Sequence, residues 1–350
     1  MSGVSDDLHP LVFKPLYTHQ SWGGTRIASL YRRAATGDIC AESWEIADRE
    51  PDMSVVAGGP LRDESLNSLY RRMGHRLTGI AGGAKSFPLL IKIIDARERL
   101  SLQVHPDDES AKLTGGEPKT EMWYALRTEP GAYVYLGTQP GVDAREFAKA
   151  LRERRVAEVL QRFPVKAGDV VFVPGGRVHA IGEGCLFLEV QQNSDTTYRL
   201  CDWDRVGPGQ KRRPLHIRKA MKVIRWDDHA PTFVRPRTLE NSKDVLREEL
   251  LTCPYFRMER LALNASHAFR NPGKSFHALF ISQGAVDVIG GGVTQSLHAG
   301  TSCLLPAALR AYASAPRARP CEVLRISVPA THGSAGARPA IARRVRRAVE

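Results

Sequence analysis

Several absences narrow the field before any motif is considered. No apolar run approaches the roughly 20 residues that a membrane-spanning helix needs, and the opening MSGVSDDLHPLVFKP lacks the basic-then-apolar order of a secretory leader. No membrane partner is expected, and the expected compartment is the cytoplasm. Cysteine is sparse: Cys40, Cys185, Cys201, Cys253, Cys303 and Cys321 lie far apart, with no CxxC pair. That excludes a secreted disulfide scaffold. The six are expected as free thiols, with Cys185 and Cys303 packed inside apolar runs.

The chain also lacks a single basic block that would account for its formal net charge of +12. Five arginines sit in the last twenty residues, THGSAGARPAIARRVRRAVE, and others are scattered. We read residues 331–350 as a solvated, disordered basic tail and expect no nucleic-acid partner. The 350 residues, 42% hydrophobic and 25% charged, suit a folded chain of two compact domains.

What is present is largely β. FPLLIKIID (87–95), LSLQVH (100–105), EMWYALR (121–127), AYVYLG, DVVFVP (169–174) and CLFLEVQQ (185–192) are rich in branched and aromatic residues and bounded by turn formers. Two helices are expected among them. One spans GVDAREFAKALRERRVAEVLQRF, capped by Asp143, with a stripe of Phe147, Leu151, Val159, Leu160 and Phe163. The other, DESLNSLYRRMGHRL, carries Leu66, Leu69, Tyr70 and Met73. Residues from about 228 to 246 are polar and contain prolines, which reads as a linker, and strand-like runs then resume. HAGTSCLLPAALRAY echoes VKAGDVVFVPGGRVHAI, but with Ala311 or Tyr312 where the first copy has His179. The echo predicts two related β-barrels, the second without a site. The glycines of GAVDVIGGGV fit a hairpin turn and not a phosphate-binding loop.

In LSLQVH, alternation turns Leu100, Leu102 and Val104 to one face and Ser101, Gln103 and His105 to the other. Gln103, His105, Glu121 and His179 together have the residue types for one metal. Two imidazoles, a carboxylate and an amide oxygen suit zinc with an open position, and iron(II) or manganese would also accept the set. His216, His267, His277 and His298 lack partners at ligand spacing.

The blocks FPLLIKIIDARERLSLQVHPDD, KTEMWYAL, VKAGDVVFVPGGRVHAIGEG and LEVQQNSDTTYRLCDWDR, with WGGTRIASLY and AESWEIAD before them, resemble the type I mannose-6-phosphate isomerases, in the shorter bacterial form of that cupin family. The resemblance is strong from Trp22 to about Arg205 and weak in the second half. It implies a mainly β protein of two cupin-type (jelly-roll) β-barrels with a few accessory helices. Residues 1–230 would form the metal-binding catalytic domain with helical insertions, and 231–330 a degenerate cupin-like barrel. It implies one zinc per chain, with Gln103, His105, Glu121 and His179 as ligands, and Arg199 as an active-site residue. Lys119, Lys92, Ser101, Glu189 and Asp195 match positions near the substrate.

The activity implied is interconversion of mannose 6-phosphate and fructose 6-phosphate through an enediolate, in a monomer or homodimer. Lys92, Lys119 or Arg199 could hold the phosphate. Glu189, Asp195 or a lysine could move the proton; Glu189 could instead orient His105 or His179. Other readings of the same residues are an isomerase or epimerase for another sugar phosphate, a non-catalytic sugar-binding cupin, and an iron(II) oxygenase.

Overall fold

Strand-forming runs dominate the chain, and the strands number β1 (Phe13–Lys14), β2 (Leu16–Thr18), β3 (Glu42–Ile46), β4 (Val55–Val56), β5 (Leu89–Ala96), β6 (Leu102–Val104) and β7 (Glu121–Thr128). The first unit continues through β8 (Tyr133–Thr138), β9 (Leu160–Pro164), β10 (Val170–Val173), β11 (His179–Ile181), β12 (Cys185–Gln192) and β13 (Tyr198–Cys201). The computed structural model describes residues 8–33, 39–81, 85–207, 211–228 and 233–329. The expected basic tail, 331–350, lies outside the described residues.

Two sheets build the first barrel: six strands in the order β10-β7-β12-β5-β3-β2, and five in the order β13-β6-β11-β8-β9. Period-2 alternation decides what each strand contributes. From β5, β7 and β12, Ile94, Trp123 and Phe187 face the space between the sheets, where they meet Val134, Leu136 and Ile181 of the five-stranded sheet. The alternate residues Ile91, Ile93, Met122, Leu188 and Val190 face outward into a second core. Leu102, Val104, Tyr198 and Leu200 likewise leave the inner face of the five-stranded sheet and pack with Phe147 and Val223. Ser101, Gln103 and His105 are therefore turned inward, as the alternation in LSLQVH predicts.

The third sheet begins with β14 (Arg237–Asn241), β15 (Val245–Thr252), β16 (Arg257–Leu263) and β17 (His267–Arg270). It ends with β18 (His277–Gly290), β19 (Val293–His298), β20 (Ser302–Leu305) and β21 (Ala311–Ser327). The long β18 and β21 change partners along their length, β18 pairing first with β20 and then with β19, so the sheet curls around its own core of Leu261, Leu279, Ile281, Cys303 and Val323. The GAVDVIGGGV turn is a two-residue hairpin in which Gly291 and Gly292 both take positive φ, a conformation costly for side-chain-bearing residues. Phe280 and Ile326 from this sheet, with Phe276 just before β18, enter the same core as the outer face of the six-stranded sheet, with Phe87 and Phe276 ring centroids 4.7 Å apart.

In the echoing segment the second unit buries Tyr312, stacked on Phe269 and with its hydroxyl 3.0 Å from His277 Nδ1. All six cysteines are free, and Cys185 and Cys303 are buried among apolar neighbours.

Three expectations change. The first predicted helix is only α-helical over Ala144–Arg152. It is capped by Asp143, whose carboxylate accepts from the amides of Arg145 and Glu146; Arg154 then takes φ +59° and breaks it. Leu160 and Phe163 belong instead to β9, where their helical spacing is coincidental. The expected linker holds β14 and the start of β15. This edge strand reads as linker because its face is charged, Arg237 reaching across to Glu249 at 2.8 Å. Short helices also occur at Arg26–Tyr31, Asp108–Thr114 and Ile217–Val223, beyond the two expected. The second expected helix, Leu66–Met73, buries all four residues of its stripe.

Candidate metal centre and cleft

Strand register assembles the site between the two sheets of the first barrel. On the five-stranded side, Gln103 lies opposite His179 in one pairing and opposite Arg199 in the other. On the six-stranded side, Glu189 lies opposite both Lys92 and Trp123, and Gln191 opposite Glu121. The turn after β10 holds the His105 segment in place. Gly176 donates its amide to the His105 carbonyl at 2.7 Å. A Cβ on Gly175 would lie 2.7 Å from the Asp107 Cα, so only glycine lets the two backbones come this close.

His105, Glu121 and His179 bring their donor atoms within 4.8 Å of one another, all three buried. Both ring orientations are fixed by backbone carbonyls: His105 Nδ1 is 2.8 Å from the Thr196 oxygen, and His179 Nδ1 is 2.9 Å from that of Arg177. A carbonyl can only accept, so Nδ1 carries the proton and each Nε2 turns a lone pair toward the glutamate. The two Nε2 atoms stand 3.4 Å from Glu121 Oε2 and Oε1 respectively. That is the spacing of ligands about 2.1 Å from a tetrahedral ion, which are separated by about 3.4 Å. Glu121 Oε1 is buried with no hydrogen-bond partner, a position polar atoms occupy only at a cost of several kcal/mol unless something binds them. Gln103 adds its amide, with Nε2 3.3 Å from His179 Nε2 and Oε1 3.4 Å from Ser101 Oγ. Turning that amide over would present its oxygen to the group. These donors fit a divalent cation.

A buried row of charges continues from the glutamate. Lys119 Nζ lies 2.8 Å from Glu121 Oε2, 3.2 Å from His105 Nε2 and 3.8 Å from Glu189. Lys92 Nζ lies 3.2 Å from Glu189 and 3.1 Å from Glu42. Trp123 Nε1 donates to the other Glu189 oxygen at 2.9 Å. Three carboxylates thus face two ammonium groups, leaving a negative excess beside the neutral histidines. Burial, with the Lys119 charge, depresses His105 to about 4; burial also lowers His179. Burial works against the Glu121 anion, but the Lys119 ammonium beside it outweighs that and holds the carboxyl well below its usual range. Glu189 moves the opposite way, raised by burial and by the neighbouring Glu121 charge. Burial opposes the Lys92 cation too, yet Glu189 and Glu42 raise it.

A cleft of about 270 Å³ opens over this row, lined among others by Lys92, Ser101, Gln103, Lys119, Glu189 and Arg199. Arg199 donates from Nε to Ser101 Oγ at 3.3 Å and from Nη1 to the Pro214 carbonyl at 2.9 Å. Burial and the nearby Arg213 charge lower its pKa. Asp195 is not brought into the cleft. It follows β12 in an exposed loop and pairs with Arg49 at 3.3 Å, so the structure corrects its placement near the substrate. The sequence reading did not single out Glu42, Trp22, Trp44 or Arg213, which also line the cleft. Glu42, Trp44 and Trp22 sit in quoted blocks, where the alternation of ESWEI already turns Glu42 and Trp44 to one face. No other group of three potential ligand residues occurs among the described residues.

Fold and site together define a mainly β, cupin-type protein whose first barrel holds a buried mixed nitrogen and oxygen donor group beneath a cleft. Comparison narrows this. Residues 11–127 match the model of the phosphomannose isomerase type I catalytic domain. The chain is 35% identical over 301 residues to mannose-6-phosphate isomerase ManA of Bacillus subtilis, covering 85% of this chain and 93% of the relative. It is 34% identical to the mannose-6-phosphate isomerase of Streptococcus mutans, covering 73% and 80%. The crystal structure of the mannose 6-phosphate isomerase from Bacillus subtilis superposes with a TM-score of 0.83 at 27% identity, over 91% of this chain and 99% of that one. The chain belongs to the type I mannose-6-phosphate isomerase family.

Proposed function

We propose that the protein interconverts mannose 6-phosphate and fructose 6-phosphate through an enediolate, with one zinc ion per chain. The carrying observation is the buried group of two imidazole lone pairs and an unpartnered carboxylate oxygen at the floor of the cleft. Family membership supports the substrate. His105, Glu121 and His179 would hold the ion, with Gln103 joining through its amide oxygen. Bound there, zinc supplies Lewis-acid polarisation of the sugar's neighbouring oxygens.

The remaining work falls to side chains. Isomerisation removes a proton from the carbon beside a carbonyl and returns it to the adjacent carbon. We assign that transfer to Glu189, a buried cleft carboxylate whose proton affinity is raised by its surroundings and whose other oxygen is oriented by Trp123. Arg199, opposite Gln103 and without a carboxylate partner among the described residues, supplies fixed positive charge as negative charge grows on the sugar. Lys119 and Lys92 each lie between two carboxylates and hold them in place.

The same proposal assigns catalysis to residues before about 230 and a supporting role to the second unit, and places the enzyme in the cytoplasm. Among the described residues no helix is long and apolar enough to cross a membrane. The test is metal-stripped protein reconstituted with zinc, iron(II) or manganese and assayed on mannose 6-phosphate beside a panel of other aldose phosphates. Turnover of another sugar phosphate with none of mannose 6-phosphate would overturn the substrate, and failure of zinc to restore activity would overturn the metal.

A further inference from the structure

The cleft has a cationic wall that neither the metal group nor the proton-transfer carboxylate uses. Arg213 lines it. The buried Asp202 grips Arg213 in a fork, Nε to Oδ2 at 2.8 Å and Nη2 to Oδ1 at 2.5 Å. Such two-point pairing fixes the plane of a guanidinium. Its remaining nitrogen, Nη1, has no partner among the described residues. Arg205 shares the same Asp202 oxygen at 3.2 Å. Arg205 and Arg213 thus share one buried carboxylate, with the Arg199 guanidinium nearby and unpaired with any carboxylate, and among the described residues the ion pairs of these three arginines add only one further negative charge, the half-exposed Glu98, 3.8 Å from Arg205.

Backbone contacts fix how Arg213 sits relative to the reacting end. The His216 amide donates to the Arg199 carbonyl at 2.7 Å, and the Arg199 amide donates to His216 Nδ1 at 3.2 Å, stitching residues 213–216 to β13. The Pro214 carbonyl receives the Arg199 Nη1, so Arg213 follows on beyond the tip of Arg199. Ser101, which touches Arg199, is one pleat from Gln103, about 6.6 Å along the strand. A sugar phosphate carries its reacting carbons at one end and its phosphate at the other, so one molecule can reach from the donor group to this wall.

Charge decides between the available cations. A phosphate dianion at Lys92 or Lys119 would face Glu42, Glu189 or Glu121, each within 4 Å of those ammonium groups. At Arg213 the single nearby carboxylate is already engaged by two guanidinium groups, and the positive excess remains.

We propose that Arg213, held in orientation by Asp202, binds the phosphate of the substrate and makes the cleft selective for phosphorylated sugars. This rests on the sugar-phosphate isomerase reading above. Asp202 is a positioning residue, acting through Arg213.

Two measurements on the zinc-loaded full chain test it. In steady-state kinetics, Arg213→Gln raises KM for mannose 6-phosphate by roughly 10- to 100-fold, the effect of losing one charge-assisted contact, with a smaller change in kcat. Arg213→Lys recovers part of the loss, and Asp202→Asn shifts KM in the same direction by less. In calorimetric titration with inorganic phosphate, the wild type binds and Arg213→Gln loses that binding, while circular dichroism confirms that the variant is folded. Unchanged KM and unchanged phosphate binding in a folded Arg213→Gln would overturn the assignment. If the wild type binds phosphate through Arg213 but does not isomerise mannose 6-phosphate, the phosphate site stands and the activity reading falls.

Discussion

His105 offers a quantitative test of the buried donor group, made on metal-free protein. Its imidazole is buried beside the Lys119 ammonium and depressed from 6.5 to about 4. The unfolded chain therefore takes up a proton as the pH falls through about 6.5, while the folded chain refuses it until about 4. Stability must fall across that window, fully retained above 6.5 and fully lost below 4. The slope is about 1.4 kcal/mol per pH unit, so moving from pH 7 to pH 5 removes about 2 kcal/mol through this one group. Other groups titrate over the same range, notably Glu189, whose raised pKa acts in the opposite sense. The comparison is therefore between wild type and His105→Gln, which keeps a polar side chain but cannot titrate. Urea unfolding of chelator-treated protein at pH 7, 6 and 5 gives both stabilities. The wild-type advantage should shrink by about 2 kcal/mol between pH 7 and pH 5. A constant difference, or one that grows on acidification, would refute a neutral, buried His105.

Trp123→Phe removes the hydrogen bond to Glu189 Oε2, the only one that oxygen has among the described residues, while keeping most of the ring. Leaving that oxygen unsatisfied should cost about 1–3 kcal/mol and, because the carboxylate loses its orientation, lower kcat by roughly 10-fold or more; thermal unfolding and steady-state kinetics check the two parts. Gly175→Ala puts a methyl group 2.7 Å from the Asp107 backbone. It should displace the His105 segment and weaken metal retention against a chelator, with zinc released measured colorimetrically, and retention equal to wild type would contradict the close approach.

How much of this was legible in the sequence depends on how local each signal is. Alternation within one strand is local, so LSLQVH revealed its inward face of Ser101, Gln103 and His105, and CLFLEVQQ placed Glu189 and Gln191 together. The pairing of strands far apart in the chain is not local. Glu42 meets Lys92, and Arg213 lines the same cleft as Ser101, only through register across sheets or a long connection. Arg213 was further hidden in the basic run KRR, which resembles a solvated stretch until Asp202 is found to grip it. Asp195 failed for the opposite reason: three residues past the end of β12, alternation no longer constrains its direction, and Arg49 draws it outward. The edge strand β14 looked like a linker because edge strands carry the charges that keep them from pairing further. The overlong helix shows that apolar spacing alone cannot detect the single left-handed residue, Arg154, that ends it.

The most direct test of the central claim takes metal content by elemental analysis and mannose-6-phosphate isomerase activity on the same preparations of wild type and His179→Ala. His179 is buried, its ring fixed by the Arg177 carbonyl, and its Nε2 is one of three donors converging in the cleft. The expected result is one zinc per chain and activity in the wild type, with both lost in a folded His179→Ala. A folded variant that keeps its activity would show that the group of His105, Glu121 and His179 is not the catalytic centre.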